Sequence, residues 1–234
     1  NEKIKWENYY KHNVEATKNV INVMNKFNVK KLIFSSTASV YKEKKIKITE
    51  KDKLKPTSKY GKSKLLAETI IKKYGKINYI ILRFFNVCSA IRNPLIGEYH
   101  QPETHLIPAS ITKIYNNEII NIFGHNYSTS DGTCERDYIH VKDICNAISN
   151  SSLLLTKKNK NYVLNIGNGK TISNLEIIEN LKKIFKKDIK YNFIKKRPGD
   201  QPRLLCSTSK AKKVINWNSK NSKINKIILD EIYW

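Results

Sequence analysis

Tyr60 and Lys64 put a phenol and an ammonium four residues apart, and Ser35, Ser36 and Thr37 put three hydroxyls just beyond the apolar run Leu32-Ile33-Phe34. On a helix, positions i and i+4 share a face, so the pair suits proton abstraction. A phenol titrates near 10 whereas a general base works best near neutral pH, a gap of about three units or ~4 kcal/mol. One ammonium at ~4 Å supplies about that much at an effective dielectric near 20. Lys64 can thus make Tyr60 a usable base, with Thr37 relaying a proton between the phenol and a substrate oxygen. The spacing alone carries little weight, because it recurs as Tyr41/Lys45, Tyr138/Lys142 and Tyr191/Lys195. Only Tyr60/Lys64 opens a predicted helix just after a hydroxyl-rich strand end and before a strand that closes on Asn86.

These groups need elements to position them. Tyr10, Val14, Thr17, Val20, Ile21 and Met24 fall at helical spacing over 8–27, and 31–36 reads as a strand. Ser58 caps a predicted helix to about Tyr74, and the apolar run 79–87 reads as a buried parallel strand. Strand, helix, strand in this order predicts an α/β fold with a partial doubly wound, Rossmann-like parallel sheet. Ligands of such sheets bind beyond the carboxyl ends of the strands, where Thr37 and Asn86 both stand. After about Ala90 the character changes. A loop over 91–105, a helix over 106–115, strands over 119–124, 162–167 and 189–194, and helices near 144–153, 174–185, 208–215 and 222–232 predict a smaller α+β lobe. Ser173 and Glu176 form a capping box. We expect residues 1–90 to be half of a nucleotide-binding domain and 91–234 mainly a substrate lobe, with 136–155 packing back on the first part.

The formal charge of +24 invites a nucleic-acid reading. Lys, Asn and Ile together make 99 of the 234 residues, whereas only five are Arg. Base-edge and phosphate recognition leans on Arg forks, so the charge reads as solvated lysine faces, with no specific nucleic-acid partner. The four cysteines are far apart and read as reduced and cytosolic, which sets the expected location as the cytoplasm. No apolar run approaches the ~18 residues needed to span a bilayer, so no membrane partner is expected. His140 and Asp143 have no third ligand at suitable spacing, so no metal is expected, and His100, His105 and His125 read as loop residues. Gly167-Asn168-Gly169-Lys170-Thr171 lacks the leading glycine of a phosphate loop, Leu164 standing in its place, and reads as a strand-to-helix turn.

Ser35-Ser36-Thr37 with Tyr60-x-x-x-Lys64 and Arg83-Phe84-Phe85-Asn86 resembles the extended short-chain dehydrogenase/reductases. Gly97-Glu98 with Pro102 to Pro108, Ile122-Phe123-Gly124 through Asp131 to Val141, Asn165 to Gly169 and Arg197 to Asp200 resemble the UDP-glucose 4-epimerase branch of that family, in order along nearly the whole chain. The resemblance implies an enzyme of galactose metabolism: NAD-dependent interconversion of UDP-galactose and UDP-glucose through a 4-keto intermediate. It gives catalysis to Thr37, Tyr60 and Lys64, and cofactor binding to these three with Asn13 and Phe85. Asn86, His105, Leu106, Ile122, Phe123, Arg136, Arg197 and Asp200 would line the UDP-hexose. The residues themselves support Arg136 and Arg197 independently, since a guanidinium fork suits a diphosphate; a salt-bridge role is the alternative for each. A homodimer through helices around 15–27 and 60–74 is implied if the sheet is complete.

The chain also departs from that family. The Gly-x-x-Gly-x-x-Gly turn that seats a dinucleotide pyrophosphate is not made by any of the eight glycines, and the acidic residue that grips the adenine ribose is missing too. The resemblance therefore implies about 80 residues ahead of Asn1, two to three βα units, and an open apolar sheet edge without them. Two other readings stay open: a related nucleotide-sugar enzyme, or a non-catalytic remnant that binds a UDP-sugar. A dehydratase would want an acidic pair after Thr37, where Ala38-Ser39 supplies none.

Overall fold

Val14, Thr17, Ile21 and Met24 are all buried, on one face of the first helical segment. The computed structural model describes residues 4–44, 46–74, 76–197 and 199–234. Lys45 of the Tyr41/Lys45 spacing and Pro198 of the Arg197–Asp200 turn lie outside the described residues. The helix expected over 8–27 is made of α1 (Trp6–Tyr9) and α2 (Ala16–Lys26), joined by a π-helical stretch over Tyr10–Glu15 that carries Asn13. A 3.6-residue period does not reveal such a bulge.

Strand β1 (Lys31–Thr37) is followed by a 3-10 turn at Ala38–Val40 and by α3 (Lys59–Tyr74), whose Gly61 amide donates to the Ser58 hydroxyl at 3.0 Å. Next comes β2 (Asn78–Phe84), parallel to β1, with Thr37 opposite Phe84 at the carboxyl ends. The single strand expected over 79–87 breaks at Phe85. That residue's amide goes to Ile166 O and the next, of Asn86, to Asp137 O, so β3 (Asn86–Cys88) leaves for a separate pairing. The loop expected over 91–105 holds a small hairpin, β4 (Ile91–Arg92) and β5 (Leu95–Ile96).

The second half continues with α4 (Leu106–Tyr115), β6 (Ile120–Phe123), β7 (Glu135–Arg136), β8 (Tyr138–His140) and α5 (Val141–Lys157). It closes with β9 (Tyr162–Ile166), β10 (Ile172–Ser173), α6 (Asn174–Phe185), β11 (Tyr191–Ile194), β12 (Arg203–Leu204), α7 (Ser209–Ile215) and α8 (Ile224–Tyr233). The capping box at Ser173 and Glu176 is formed in both directions. The main sheet has the order β1-β2-β9, all parallel, so its third strand comes from residues well past Ala90. Beyond β1 no further strand pairs among the described residues. Helix α5 packs across β1 and β2, and Ile80, Leu82, Ile144, Leu164 and Trp217 fill the space between. A second core, with Ile107, Ile122, Ile178, Leu181 and Ile227, unites α4, α6 and α8.

Candidate active site

Parallel strands end together, so the polar residues at their carboxyl ends converge. A cavity of about 860 Å³ opens there, and Thr37, Tyr60, Phe85, Asn86, Arg136 and Asp200 are on its wall. An adjoining cavity of about 400 Å³ shares Asn86, His105, Arg136 and Asp200 with it and adds Leu106, Phe123 and Arg197. The Oδ1 atom of Asn86 is buried and has no hydrogen-bond partner. A buried acceptor left unpaired is costly in a closed core, so this one points to a ligand between the two cavities.

At the first cavity, burial pushes the Tyr60 phenol above its ordinary value, the Thr37 hydroxyl pulls it back, and the neighbouring Tyr9 phenol adds to the rise. The Tyr9 and Tyr60 rings lie 5.9 Å apart, a contact with no signal in the sequence spacing. The Lys64 ammonium donates to Ser35 O at 3.1 Å and lies over the Phe34 ring, 5.0 Å from its centre. Burial holds that ammonium below its ordinary value. Sharing a helix face therefore does not couple the pair directly in this geometry: Lys64 answers to the end of β1, and Tyr60 to Thr37. Thr37 itself accepts from the Ser39 amide at 3.2 Å. Asn13, in the π-helical stretch, donates to Ser63 Oγ at 2.9 Å, and Ser63 bonds to Tyr60 O at 2.8 Å, so Asn13 braces the turn that carries the phenol. Neither Asn13 nor Lys64 is on the cavity wall.

In the second cavity the two arginines divide their roles. Arg136 gives Nη1 to Gln201 O at 2.7 Å and pairs through Nη2 with Asp200 at 3.3 Å. Its salt-bridge alternative is thus realised, with Asp200 as the partner. Arg197 lays its guanidinium flat on Phe123, 3.8 Å from the ring centre, and forms no ion pair among the described residues. Arg197 also lines the second cavity. His105, at the N-terminus of α4, is exposed on the rim. Ile122 needs correction: β6 alternates, which puts Ile122 at 0% exposure in the second core while Phe123 faces the cavity.

Beneath the site, Arg83 is 2% exposed and grips Glu68 with Nε at 2.9 Å and Nη2 at 2.6 Å, while Nη1 donates to the Tyr41 hydroxyl at 2.8 Å. Tyr41 donates on to Asn165 at 2.6 Å, and Ser36 to Glu68 at 2.6 Å. Burial raises the Glu68 carboxyl, but the Arg83 hydrogen bonds and charge outweigh it and leave the group below its ordinary value. Asp137, fully buried, accepts from the backbone amides of Asn168, Gly169 and Cys206 at 2.6–3.0 Å. Burial pushes it up to about 7 against their pull. His140 Nε2 meets Asp230 at 3.0 Å and Asp143 accepts from Asn221 and Ser222, so both are anchors of the fold. No helix among the described residues is long and apolar enough to cross a membrane.

This site and sheet carry the marks of a nucleotide-handling dehydrogenase fold. The sequence profile of the NAD dependent epimerase/dehydratase family matches residues 2–167, and the chain belongs to that family. It is 39% identical over 231 residues to a UDP-glucose 4-epimerase of Lactobacillus helveticus, covering 97% of this chain and 70% of that one. Among solved structures it resembles a UDP-glucose 4-epimerase from Bifidobacterium longum in complex with NAD+ and UDP, with a TM-score of 0.89, 32% identity, and 97% and 70% of the two chains covered. It also resembles one from Stenotrophomonas maltophila with bound NAD and formylated UDP-arabinopyranose, with a TM-score of 0.93, 26% identity, and 98% and 70% covered.

Proposed function

We infer that this protein is an NAD-dependent 4-epimerase that interconverts UDP-galactose and UDP-glucose. The observation that carries the reading is the pair of adjoining cavities. A phenol and a hydroxyl wall one end, a guanidinium the other, and an unpartnered Asn86 carbonyl lies between. Two joined spaces of this size suit a sugar and a nucleoside diphosphate laid end to end. The residues present fit the nicotinamide end of NAD: Thr37 and Tyr60 face the cavity beside Phe85, with Asn13 and Lys64 close behind. Bound NAD would supply the hydride acceptor. Tyr60 takes the proton from the sugar 4-hydroxyl and returns it, and Thr37 orients that hydroxyl. Lys64 turns from Ser35 O to hold the nicotinamide ribose. Arg197 binds the diphosphate, Arg136 and Asp200 fix its wall, and His105, Leu106 and Phe123 border the uridine side.

We further propose that residues 1–90 form part of the nucleotide-binding unit and 91–234 mainly the substrate lobe, that the protein works in the cytoplasm, and that it pairs as a homodimer. Exposed Val20, Val23 and Phe27 on the first helices and Leu66 on α3 support the last point. The test is to purify the protein, release and quantify any bound NAD, and follow conversion of UDP-galactose to UDP-glucose. Bound NAD with turnover is the expected result. UDP binding with neither would favour the UDP-sugar binder, and loss of all three would overturn the reading.

A further inference from the structure

The rim shared by the two cavities holds a group of side chains that the proposed reaction does not use together. Glu98, His100 and His105 are exposed in the segment between β5 and α4, and one donor atom from each lies within 4.8 Å of the others. Glu98 Oε1 is 3.4 Å from His100 Nε2, and Glu98 Oε2 is 3.7 Å from His105 Nδ1. Zinc held at 2.0–2.2 Å by nitrogen and oxygen ligands in a tetrahedron spaces those ligands about 3.3–3.5 Å apart. Glu98 faces His100 with one carboxylate oxygen and His105 with the other, each at close to that spacing, and small rotations of these exposed side chains bring one donor from each around a single ion.

The surroundings supply the supporting contacts. Glu103 Oε2 is 3.7 Å from His100 Nδ1, the ring nitrogen opposite the one that faces Glu98. A carboxylate behind a ligating imidazole fixes its tautomer and raises its basicity. Glu103 is itself held by the amides of Thr104 and His105, at 2.6 and 2.7 Å. The same oxygen, Oε1, is also 3.1 Å from His105 Nδ1, so Glu103 braces both imidazoles. The base of the loop is pinned as well: Trp234 Nε1 donates to Glu98 O at 3.0 Å, and the Trp234 ring packs so close on Gly97 that a Cβ there would sit 2.4 Å from it. In a chain of 44 basic and 20 acidic residues, this rim gathers two carboxylates and two imidazoles within eight positions.

We propose that Glu98, His100 and His105 form a binding site for a divalent transition ion of the zinc class, with Glu103 supporting the two imidazoles from behind. Two imidazoles and carboxylates favour Zn2+, Co2+ or Ni2+ over Mg2+ or Ca2+. The expectation of no metal rested on His140 and Asp143, whereas the ligands here come from a loop whose spacing matches no motif. The site stands on these atoms alone, whatever the cavities hold.

Titration calorimetry of the full chain with zinc chloride tests it. One equivalent binds, His100→Ala and His105→Ala each weaken binding by at least ~100-fold, and Glu103→Gln weakens it by about tenfold. His125→Ala, at an exposed position elsewhere, leaves it unchanged. Co2+ in place of zinc shows d–d bands in the visible without a thiolate charge-transfer band. All the altered positions are exposed or half-buried in loops, and circular dichroism checks that each variant is folded. Wild-type protein that takes up no stoichiometric zinc, or His100→Ala and His105→Ala proteins that bind it as wild type does, overturns the site.

Discussion

Two phenols, Tyr41 beside Arg83 and Tyr60 four residues ahead of Lys64 on α3, have opposite fates. Tyr41 is 1% exposed, receives the guanidinium at 2.8 Å and donates to Asn165 at 2.6 Å. Its phenol is pushed up to about 12, because burial outweighs the cation. Every polar atom there is used, and the group bolts β1, α3, β2 and β9 together. Tyr60 lies on a cavity wall with Thr37 in front of it, and its cation is turned away to Ser35 O. A cation close to a phenol therefore does not make a base. What separates the two is an open side where a substrate hydroxyl can arrive, together with an ammonium whose hydrogen-bond partner among the described residues is a backbone carbonyl.

The comparison can be broken or sharpened by substitution. Tyr60→Phe should cut turnover by roughly 10²–10⁴-fold, the range for losing a general base, while the melting temperature stays within a few degrees of wild type. Glu68→Ala should do the reverse: it leaves Arg83 as an uncompensated buried charge and should cost about 3–5 kcal/mol in urea unfolding. Tyr41→Phe removes one acceptor from Arg83 and should cost about 1–3 kcal/mol, with turnover within about threefold of wild type. Arg197→Lys keeps the charge but loses the flat stacking on Phe123, and should weaken UDP binding by about tenfold, or ~1.4 kcal/mol. Equal stability losses in Tyr41→Phe and Tyr60→Phe would erase the distinction.

Two of the buried carboxyls, Glu68 and Asp137, push the pH dependence of stability in opposite directions. Glu68 is held below its unfolded value, so its contribution is present above about pH 4.3 and is lost as pH falls through the folded value. Asp137 is raised to about 7, so its contribution is fully present below about pH 3.9 and is lost as pH rises through about 7. Thermal melts of Glu68→Gln should therefore lose the acid-side slope of wild type, and those of Asp137→Asn the slope approaching pH 7.

Much of this scaffold was legible in the residues. Helix α4 and the capping box at Ser173 follow from local chemistry, which a sequence records directly. The break at Phe85 was not legible, because it is made by amides finding carbonyls of Ile166 and Asp137, eighty and fifty residues away. The same limit applies to the site. Thr37, Tyr60 and Asn86 could be placed at strand and helix ends by pattern. Which arginine is paired, which residue of β6 faces the cavity, and where Lys64 points all depend on long-range packing. The signal for Glu68 is faint: it is the one acid on a lysine-rich helix just ahead of a strand bearing Arg83.

The most direct test of the central claim is to incubate the protein with UDP-galactose in heavy water and follow the sugar by proton NMR. The account predicts that UDP-glucose forms with its C4 hydrogen retained, and that Tyr60→Phe all but abolishes the change. Deuterium appearing at C4, or UDP-glucose forming at the wild-type rate in Tyr60→Phe, would contradict it.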